Sequence, residues 1–543
     1  MSERRVYLET FGCQMNELDS ELVSGQLRAL GYRFVGSPDE ADVVLYNTCS
    51  VRDHAEHKVR SRLGEMRERK ERDPGMVVGV LGCMAERDGE DLIKRSPVVD
   101  VLCGPAELDK LPGLLDNAVR TRASMLDGES ERAAGRSARQ VALQGGASRR
   151  SGTLAAAEDR LEFLDLSRTV SATDHNGTAY VRITRGCNKF CTYCVVPHTR
   201  GAEVHRPPDH IVDECKRLAD AGVIEVTLLG QTVNHYRYEH GATVTVNGVA
   251  QPQKGRSYAG GHRRDPFAGD RVTTFAGLLE RIHEEAPGLE RIRFVTSYPR
   301  DFGDDVLEVI RDHPRICRYL HVPAQSGSDR MLQTMNRGYS VAEYLEFLDR
   351  ARAHLHQPEI GRPLTVAGDM IVGFCGETEE DHQASLRLIE RARYKNAYIF
   401  KYSPRPGTTA YGRLPDDVPE DVKRRRNNEM LEVQARMSRE VLSEYVGREV
   451  RVLVEGESEK QKKAARGGLV GLTVKGSEAA QGGADVAQYA GRTDGDVIVH
   501  FEAERSEASG LVGRMASVRV EESGGLSVSG RLGGELSQIA SRG

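Results

Sequence analysis

The sequence lacks three features that would point to a membrane protein or to a general nucleic-acid binder. No apolar run approaches the roughly 20 residues that span a bilayer, and no signal-length apolar stretch opens the chain. The net charge is −5, so no overall positive field attracts nucleic acid. Tryptophan is absent, which leaves any base stacking to tyrosine, phenylalanine, histidine or arginine. We therefore expect a cytoplasmic protein with no membrane partner.

Length and composition predict several globular units. The chain has 543 residues, of which 39% are apolar and 29% charged, and single cores rarely grow beyond about 250 residues. Shifts in composition predict an α/β domain at 4–122, a flexible linker at 123–172, a second α/β unit at 173–437 with a Gly-rich insert at 236–271, a small β-barrel at 440–522 and a disordered tail at 523–543.

The first predicted domain alternates short β-rich runs with helical sequence. The runs lie at 6–10, 42–47, 76–82 and 98–102. The clearest helix carries an apolar stripe at Val51, Ala55, Val59 and Leu63, opposite a face of Arg, Glu and Lys. Strands that alternate with helices predict a parallel sheet covered on both faces.

The second unit repeats this pattern over a longer stretch. Six strand candidates begin near residues 179, 225, 292, 318, 364 and 397, and helical sequence follows each of them. This spacing predicts a partial (β/α)6 barrel, whose chemistry should lie at the C-terminal ends of the strands.

Three cysteines fall within one loop after the first of these barrel strands. Cys187, Cys191 and Cys194 have the spacing C-x3-C-x2-C, which allows one loop to surround one metal centre. One interpretation is a closed zinc site with His198 as the fourth ligand. The favoured one is an iron–sulfur cluster held by three thiolates, because it leaves one iron open to an exchangeable, reactive ligand.

Three further cysteines are distant in sequence but equivalent in position. Cys13, Cys49 and Cys83 each follow a predicted strand within a few residues. Because the C-terminal ends of parallel strands share one edge of a sheet, we expect these thiols to converge on a second three-cysteine site. The alternative is that they are core cysteines.

The remaining cysteines leave one question open. Cys103 follows the fourth strand and by geometry could supply a fourth ligand to this second site. Cys215 and Cys317 lie in apolar contexts typical of core residues, and Cys375 lies in a loop without an assigned role.

Several motifs resemble one enzyme family. The cysteine loop RGCNKFCTYCVVPHTRG (185–201) resembles the radical S-adenosylmethionine (SAM) superfamily, and TFGCQMNELDSE (10–21), NTCSVRDHAEHKV (47–59), LLGQTVN (228–234), HVPAQSGSDRML (321–332) and YSPRPGT (402–408) resemble its methylthiotransferases. Gln14-Met15-Asn16 after the first cysteine resembles the tRNA-modifying MiaB type rather than the type that modifies a ribosomal protein. The terminal barrel resembles a TRAM domain, which in this family contacts substrate.

The resemblance implies a radical SAM enzyme that converts N(6)-dimethylallyladenosine, next to the anticodon of tRNA, to its 2-methylthio derivative. Two 4Fe-4S clusters are implied: a SAM-binding one on Cys187, Cys191 and Cys194, and an auxiliary one on Cys13, Cys49 and Cys83. One SAM would serve as radical source and a second as methyl donor. A tRNA carrying isopentenylated adenosine and a small-protein electron donor are the implied partners of a monomeric enzyme. In this family three cysteines hold each cluster, which makes Cys103 a core residue.

Polar residues at the predicted strand ends are candidates for holding SAM or adenine. They are Gln231, Asn234, Ser297, Gln325 and Ser328, and each could equally be a turn or cap residue. Lys460, Lys462, Lys463 and Arg466 form the candidate phosphate-contacting patch of the terminal barrel.

No catalytic side chain is assigned. The alternatives are a methylthiotransferase for a ribosomal protein and a non-catalytic RNA-binding protein with structural zinc.

Overall fold

A computed structural model describes residues 4–50, 53–126, 139–144, 160–168, 176–255, 271–458, 486–508 and 510–533. None of the helices in these ranges combines the length and the apolar composition needed to cross a bilayer. The fold is mixed α/β with a closed terminal β-barrel, so the predicted fold class is confirmed.

The N-terminal domain is a parallel sheet with the strand order β2-β1-β3-β4-β5-β6. Its strands are β1 (Arg5–Phe11), β2 (Arg33–Phe34), β3 (Val43–Thr48), β4 (Val77–Gly82), β5 (Val101–Cys103) and β6 (Gln140–Ala142). Its helices are α1 (Gln14–Ala29), α2 (Asp53–Arg72), α3 (Cys83–Asp88), α4 (Glu90–Arg95) and α5 (Leu111–Leu126). Every residue of β3 and β4 is buried, as expected for central parallel strands with helices on both faces.

The two faces of this sheet are covered by different helices. The stripe Ala55, Val59, Leu63 of α2 packs on one face, whereas Leu18 and Leu22 of α1 pack on the other. Both helices follow a strand that ends near a cysteine, so packing of α1 and α2 fixes where those strand ends lie.

The middle unit is an open barrel built from two three-stranded sheets. Strands β7 (Thr178–Arg182), β10 (Glu225–Leu229) and β16 (Arg291–Phe294) form the first, and β17 (Tyr319–His321), β18 (Thr365–Val372) and β19 (Asn396–Lys401) form the second. A single parallel bridge between Ile292 and Ile316 joins them. The helices are α6 (Arg160–Leu166), α7 (Val196–Thr199), α8 (Pro208–Asp220), α9 (Phe275–Glu285), α10 (Asp304–Asp312), α11 (Asp329–Thr334), α12 (Val341–Leu355), α13 (Glu379–Ala392), α14 (Thr409–Arg413) and α15 (Glu420–Ser443).

Short strands extend this barrel at one side. They are β8 (Thr184–Arg185), β9 (Val204–His205), β11 (Arg237–Glu239), β12 (Thr245–Val246), β13 (Val249–Ala250), β14 (Gln253–Lys254) and β15 (Val272–Thr274). Within the predicted insert, β14 pairs with β9, and Tyr238 is 2% exposed. Residues at both ends of the described part of the insert pack against the barrel, whereas residues 240–245 are exposed.

The C-terminal unit is a closed barrel in the order β20-β21-β22-β24-β23. The strands are β20 (Glu449–Glu457), β21 (Val486–Arg492), β22 (Ile498–Glu504), β23 (Met515–Ser523) and β24 (Ser527–Leu532), with a short helix at Arg505–Ala508. Its 493–496 turn contacts the N-terminal ends of the open-barrel strands: Arg293 donates to the Thr493 carbonyl (2.9 Å), and Lys395 pairs with Asp496 (2.8 Å). The small barrel thus closes the end opposite the strand C-termini.

Two predicted segments, the linker and the tail, differ from the structure. The linker range contains β6, and α6 buries Leu161 and Leu164 against the N-terminal core. The tail range contains β24, which closes the terminal barrel through backbone pairing with β22 and β23. Both strands have weak sequence signals, because a short or Gly/Ser-rich strand is held by its partners' backbones rather than by its own side chains. The run GLVGLTVKG (468–476), within the predicted small β-barrel, lies outside the described residues.

Candidate active site

The three dispersed cysteines follow three strands that lie side by side. Cys13 follows β1, Cys49 follows β3 and Cys83 follows β4, and these strands are neighbours in the sheet. Cys49 and Cys83 are buried, and Cys13 is partly buried. The sheet therefore gathers the three thiols at one edge, in the arrangement that the strand-end argument predicts.

Glycines at two of these strand ends permit the close approach. Gly12 has φ +151°, and a Cβ there would lie 2.6 Å from Cβ of Cys49. Gly82, with φ +87°, leaves no room for a side chain beside Asn47. Asn16 donates to the Asn47 amide oxygen (3.0 Å), and Asn47 returns a bond to the Asn16 carbonyl (2.8 Å). This asparagine pair fixes the loop of Cys13 against the loop of Cys49.

The electrostatics of this edge differ from one thiol to the next. A hydrogen bond with Cys49, reinforced by the nearby charge of Arg200, lowers the pKa of Cys13 to about 6. Burial raises the pKa of Cys83, and Arg200 and a hydrogen bond with Thr199 oppose that effect. Thiolates are the form that binds metals, so a lowered pKa at Cys13 prepares this edge for a metal group.

The compact cysteine loop lies at the C-terminal side of β7. Gly186 has φ +67°, and a Cβ there would overlap the carbonyl oxygens of Gly201 and Ala202. The backbone N–H of Lys189 donates to Sγ of Cys187 (3.4 Å). Burial raises the pKa of Cys187 to about 12 and also raises that of Cys194. The Cys187 and Cys194 thiols, which are costly to ionise alone, suit a site where a metal group supplies the compensating positive charge.

A buried arginine also faces this loop. Nη1 of Arg337 lies 3.3 Å from Sγ of Cys191 and 3.4 Å from Oη of Tyr193. Sequence reasoning did not single out Arg337, which lies in MNRGYS (335–340), directly after one of the recognised motifs.

The segment 195–200 connects the two cysteine sites. It begins directly after Cys194, forms α7, and ends at Arg200, whose guanidinium pairs with Asp19 of α1 at 2.8 Å. Thr199 and Arg200 are the same residues that act on the pKa of Cys83. One short helix therefore fixes the compact loop next to the dispersed site.

The spacing of the sulfurs can be compared with that around a single metal ion. A tetrahedral zinc with Zn–S bonds of about 2.3 Å would hold its thiolates about 4 Å apart. Among the described residues, neither cysteine trio brings all three sulfurs within 4.8 Å of one another. His198, the proposed fourth zinc ligand, likewise forms no such group with the cysteines. Each trio is therefore spaced more widely than one tetrahedral ion would hold its ligands.

The candidate SAM- or adenine-binding residues have different surroundings. Asn234 donates to the Tyr298 carbonyl (2.8 Å) and accepts from its N–H (2.9 Å), and Ser328 caps α11 and donates to Asp381 (2.5 Å). The side chains of both are thus engaged in bracing the fold. Ser297 differs, because its hydroxyl is buried and has no hydrogen-bond partner among the described residues. It is the candidate whose surroundings call for a ligand.

The other two candidates lie near the same mouth of the barrel. Gln325 has φ +73°, and its backbone bridges Asp369 and Ile371 of β18, so its position is fixed by the sheet. Gln231 is half-buried directly after β10.

The concave face of the second barrel sheet carries polar and aromatic side chains. Leu320 and Val366 pack outward into the helix-covered core. Because side chains alternate between the two faces of a strand, His321 and Asp369 point to the inner face. Their side chains are 3.2 Å apart. Asp369 is in register with Tyr398, and Ile371 with Phe400. The Tyr398 and Phe400 rings stack with an interplanar angle of 17°, and Tyr398 is 50% exposed.

The insert braces the compact cysteine loop. Asn188 accepts from the N–H of Glu203 (3.0 Å) and donates to the carbonyl of Gly255 (3.2 Å), at the end of β14. Glu203 in turn accepts from His205 (2.8 Å) and His235. The insert is thereby hydrogen-bonded to a residue that lies between Cys187 and Cys191.

The other four cysteines are all buried. The Cys103 thiol donates to the carbonyl of Glu107 (3.2 Å) and packs in the N-terminal core, and burial raises its pKa. Cys215 and Cys317 are at most 1% exposed, and Cys375 packs near Tyr402. The patch Lys460, Lys462, Lys463 and Arg466 lies outside the described residues.

A simple sequence signal marks both sites. Gly precedes cysteine at 12–13, 82–83 and 186–187, and all three glycines have positive φ. Such a dipeptide at a strand end indicates a thiol approached closely by a neighbouring backbone.

Comparison with known proteins adds the family. Residues 5–104 match the model of the uncharacterized protein family UPF0004, and residues 181–389 match that of the radical SAM superfamily. The tRNA-2-methylthio-N(6)-dimethylallyladenosine synthase of Rhodopirellula baltica is 43% identical over 529 residues, which cover 97% of this chain and 95% of that protein. The chain belongs to this synthase family.

Other members of the synthase family match over similar lengths. The synthase of Burkholderia cenocepacia is 36% identical and covers 97% of both chains, and that of Chloroherpeton thalassium is 38% identical and covers 84% of this chain and 86% of its own. Among solved structures, the radical SAM methyltransferase TsrM from Kitasatospora setae, with cobalamin and a [4Fe-4S] cluster bound, has a TM-score of 0.45 and 14% identity and covers 75% of this chain and 74% of its own.

Membership of the synthase family confirms the enzyme class. The chain is a radical SAM methylthiotransferase, and the expectation of iron–sulfur and SAM cofactors is confirmed. The interpretation as a non-catalytic zinc protein is wrong, since the family contradicts it.

Proposed function

We propose that this enzyme converts N(6)-dimethylallyladenosine to its 2-methylthio derivative in tRNA, at the position 3′ of the anticodon. The observation that carries the proposal is the presence of two separate cysteine trios joined through α7. A generic radical SAM enzyme needs only the compact trio, whereas insertion of sulfur calls for a second site. The relatives of this chain carry the name of that reaction over nearly its full length.

Within this proposal, Cys187, Cys191 and Cys194 hold a SAM-binding 4Fe-4S cluster, and Cys13, Cys49 and Cys83 hold an auxiliary one. When bound, the two clusters and two SAM molecules supply the radical, the sulfur and the methyl group. A small-protein electron donor serves a monomeric, cytoplasmic enzyme.

The role of the chain's own residues is to position the reactants. The Ser297 hydroxyl, which is buried and has no hydrogen-bond partner in the part of the chain that the structure describes, is available to a polar group of SAM or adenine. Tyr398 and Phe400 offer a flat aromatic surface for the base, and His321 with Asp369 offers hydrogen bonds beside it. Gln231 and Gln325 line the same mouth, whereas Asn234 and Ser328 act by bracing Tyr298 and α11.

The small barrel lies at the end of the open barrel opposite these groups. This leaves the mouth between the cysteine sites and the concave face open for a tRNA loop. An anion-rich substrate would then be oriented by local contacts, because the chain is acidic overall.

Two measurements test the proposal. Anaerobic reconstitution should load about eight iron per chain, as two four-iron clusters require. Mass spectrometry of tRNA nucleosides should show that cells lacking the gene lose the 2-methylthio group and regain it with the intact gene. The proposal would be overturned if the reconstituted protein held one tightly bound zinc and no iron. It would also be overturned if cells lacking the gene kept an unchanged level of methylthioadenosine.

A third measurement tests the substrate class. An anticodon stem-loop that carries the dimethylallyl group should be methylthiolated, and the same stem-loop with plain adenosine serves as its matched control. Equal turnover of both would contradict the proposed substrate, and modification of ribosomal protein instead would favour the alternative type.

A further inference from the structure

Arg337 is a buried cation aimed at one cysteine of the compact site. It is 6% exposed, and Nη1 lies 3.3 Å from Sγ of Cys191. Nε donates to the hydroxyl of Tyr339 (3.0 Å), and Nη2 donates to the carbonyl of Pro323 (3.0 Å). Because the guanidinium is planar and two of its nitrogens are fixed, the direction of the third toward sulfur is fixed as well.

The partners of Arg337 leave its charge uncompensated. In the described part of the chain, its partners are tyrosine hydroxyls, a carbonyl and the sulfur of Cys191, and its Cζ lies over the rings of Tyr298 (4.9 Å) and Tyr339 (5.2 Å). No carboxylate of the described residues forms an ion pair with it. An isolated buried charge is costly unless an anion faces it.

Other buried cations of the chain pair with carboxylates. Lys189 lies over the same Tyr298 ring (4.4 Å) and pairs with Asp301, which is fully buried. Arg206 pairs with Glu162 (2.9 Å), and Arg426 pairs with Glu377 (2.9 Å). Arg337 faces a thiol where these residues face a carboxylate, so the counter-charge must come from that thiol and whatever it holds.

We propose that Arg337 is a positioning residue that acts through Cys191 to raise the reduction potential of the SAM-binding cluster. The inference rests on the proposed assignment of Cys187, Cys191 and Cys194 to that cluster. Three thiolates make the oxidised cluster anionic, and reduction adds one more negative charge. A fixed positive charge and a hydrogen bond to a ligand sulfur both stabilise the reduced form more than the oxidised form.

The test is a redox titration of the intact, anaerobically reconstituted protein without tRNA. Electron paramagnetic resonance follows the reduced-cluster signal that changes when SAM is added, which separates this cluster from the auxiliary one. In Arg337→Met, which removes the charge at similar volume, the ratio of reduced to oxidised cluster at a fixed potential should fall at least tenfold, a shift of 59 mV for one electron. Arg337→Lys, which retains the charge, should have a ratio of reduced to oxidised cluster closer to that of the wild type.

Matched controls keep a structural effect apart from an electrostatic one. Tyr339→Phe disturbs the same buried network but retains the charge, so the ratio should change by less than about threefold. A fully loaded Arg337→Met with the wild-type potential overturns the proposal, as does an equal shift in Tyr339→Phe. If Arg337→Met does not take up iron, Arg337→Gln is titrated instead, and a wild-type potential in that variant overturns the proposal.

Failure of the proposed function would be visible separately. A wild-type protein without a SAM-responsive cluster signal would contradict the assignment of the cysteines, whereas a normal wild-type signal with no shift in the variants would contradict only the role of Arg337.

Discussion

Arg200 and Asp19 form a buried ion pair, 2.8 Å long, between the segment that follows Cys194 and the helix that follows Cys13. Both side chains are at most 6% exposed, and Asp19 also accepts from Arg182. The pair holds the two cysteine sites next to each other.

Asp19→Asn should therefore destabilise the protein and impair the auxiliary site. Removing one partner of a buried pair leaves an uncompensated charge, which typically costs about 3–5 kcal/mol. Chemical denaturation should show this loss, and iron analysis should show reduced loading. Asp349→Asn removes the partner of Arg391 in an exposed pair and should match wild type in both measurements. Equal effects of the two substitutions would contradict a specific role for the Arg200–Asp19 pair.

Cys83→Ala should lower the iron content, whereas Cys103→Ala should leave it unchanged. The two cysteines lie at the ends of neighbouring strands, β4 and β5, but Cys103 donates to a carbonyl within the core. Cys83→Ala should lose about four iron, one cluster's worth, whereas Cys103→Ala should keep the wild-type count. Iron analysis combined with Mössbauer spectroscopy measures both. Loss of iron in Cys103→Ala would make it a fourth ligand.

Asn188→Ala should loosen the SAM-binding site without unfolding the chain. The substitution removes the bonds that join the compact loop to Glu203 and to Gly255 of the insert. Iron should be lost faster from this variant when a chelator is added. Gln253→Ala breaks two bonds within the insert, both to Glu239, and serves as the control with a wild-type rate. If both variants lose iron equally fast, the insert as a whole rather than Asn188 supports the loop.

Tyr398→Ala should raise KM for the tRNA substrate and leave cluster loading intact. The ring lies on the concave face, and base–aromatic stacking contributes about 1–3 kcal/mol, which corresponds to roughly 5- to 150-fold in KM. Steady-state kinetics with a modified stem-loop measures the change. Leu431→Ala, an exposed apolar residue of α15, should behave as wild type. An unchanged KM in Tyr398→Ala would remove this face from the substrate site.

His283 should make the protein less stable in mild acid. Its side chain lies against His313, with ring centroids 4.7 Å apart, and its Nε2 is buried without a partner among the described residues. Burial, with the charges of Arg315 and His313, lowers the pKa of His283 to about 4. The unfolded chain, with a histidine pKa of about 6.5, binds the proton first, so stability is lost as the pH falls from about 6.5 toward 4.

Thermal denaturation between about pH 7 and pH 5 checks this expectation. The melting temperature of His283→Phe should fall less over this range than that of wild type, because the titrating group is gone. His356→Gln, at the exposed end of α12, should retain the wild-type slope. Parallel slopes for wild type and His283→Phe would contradict the prediction.

Much of the fold follows from patterns that are local in the sequence. The largely apolar β3 and β4 predict central parallel strands. The apolar stripe of α2 predicts which side of that helix faces the sheet, because packing on a sheet requires apolar side chains. β6, α6 and β24 escape prediction because they are short and have weak apolar patterns of their own, so their packing partners supply most of their stabilisation.

The sequence by itself determined the chemistry of the sites: six cysteines at strand ends, one trio compact and one dispersed, in motifs that identify the family. Only the tertiary structure decided what surrounds them. Arg337 is separated from Cys191 by 146 residues and Asp19 from Arg200 by 181, so no local spacing relates them. Charged and hydrogen-bonding partners are selected by proximity in the folded state, where burial makes an unpaired charge costly, and that proximity exists only once the sheets have formed.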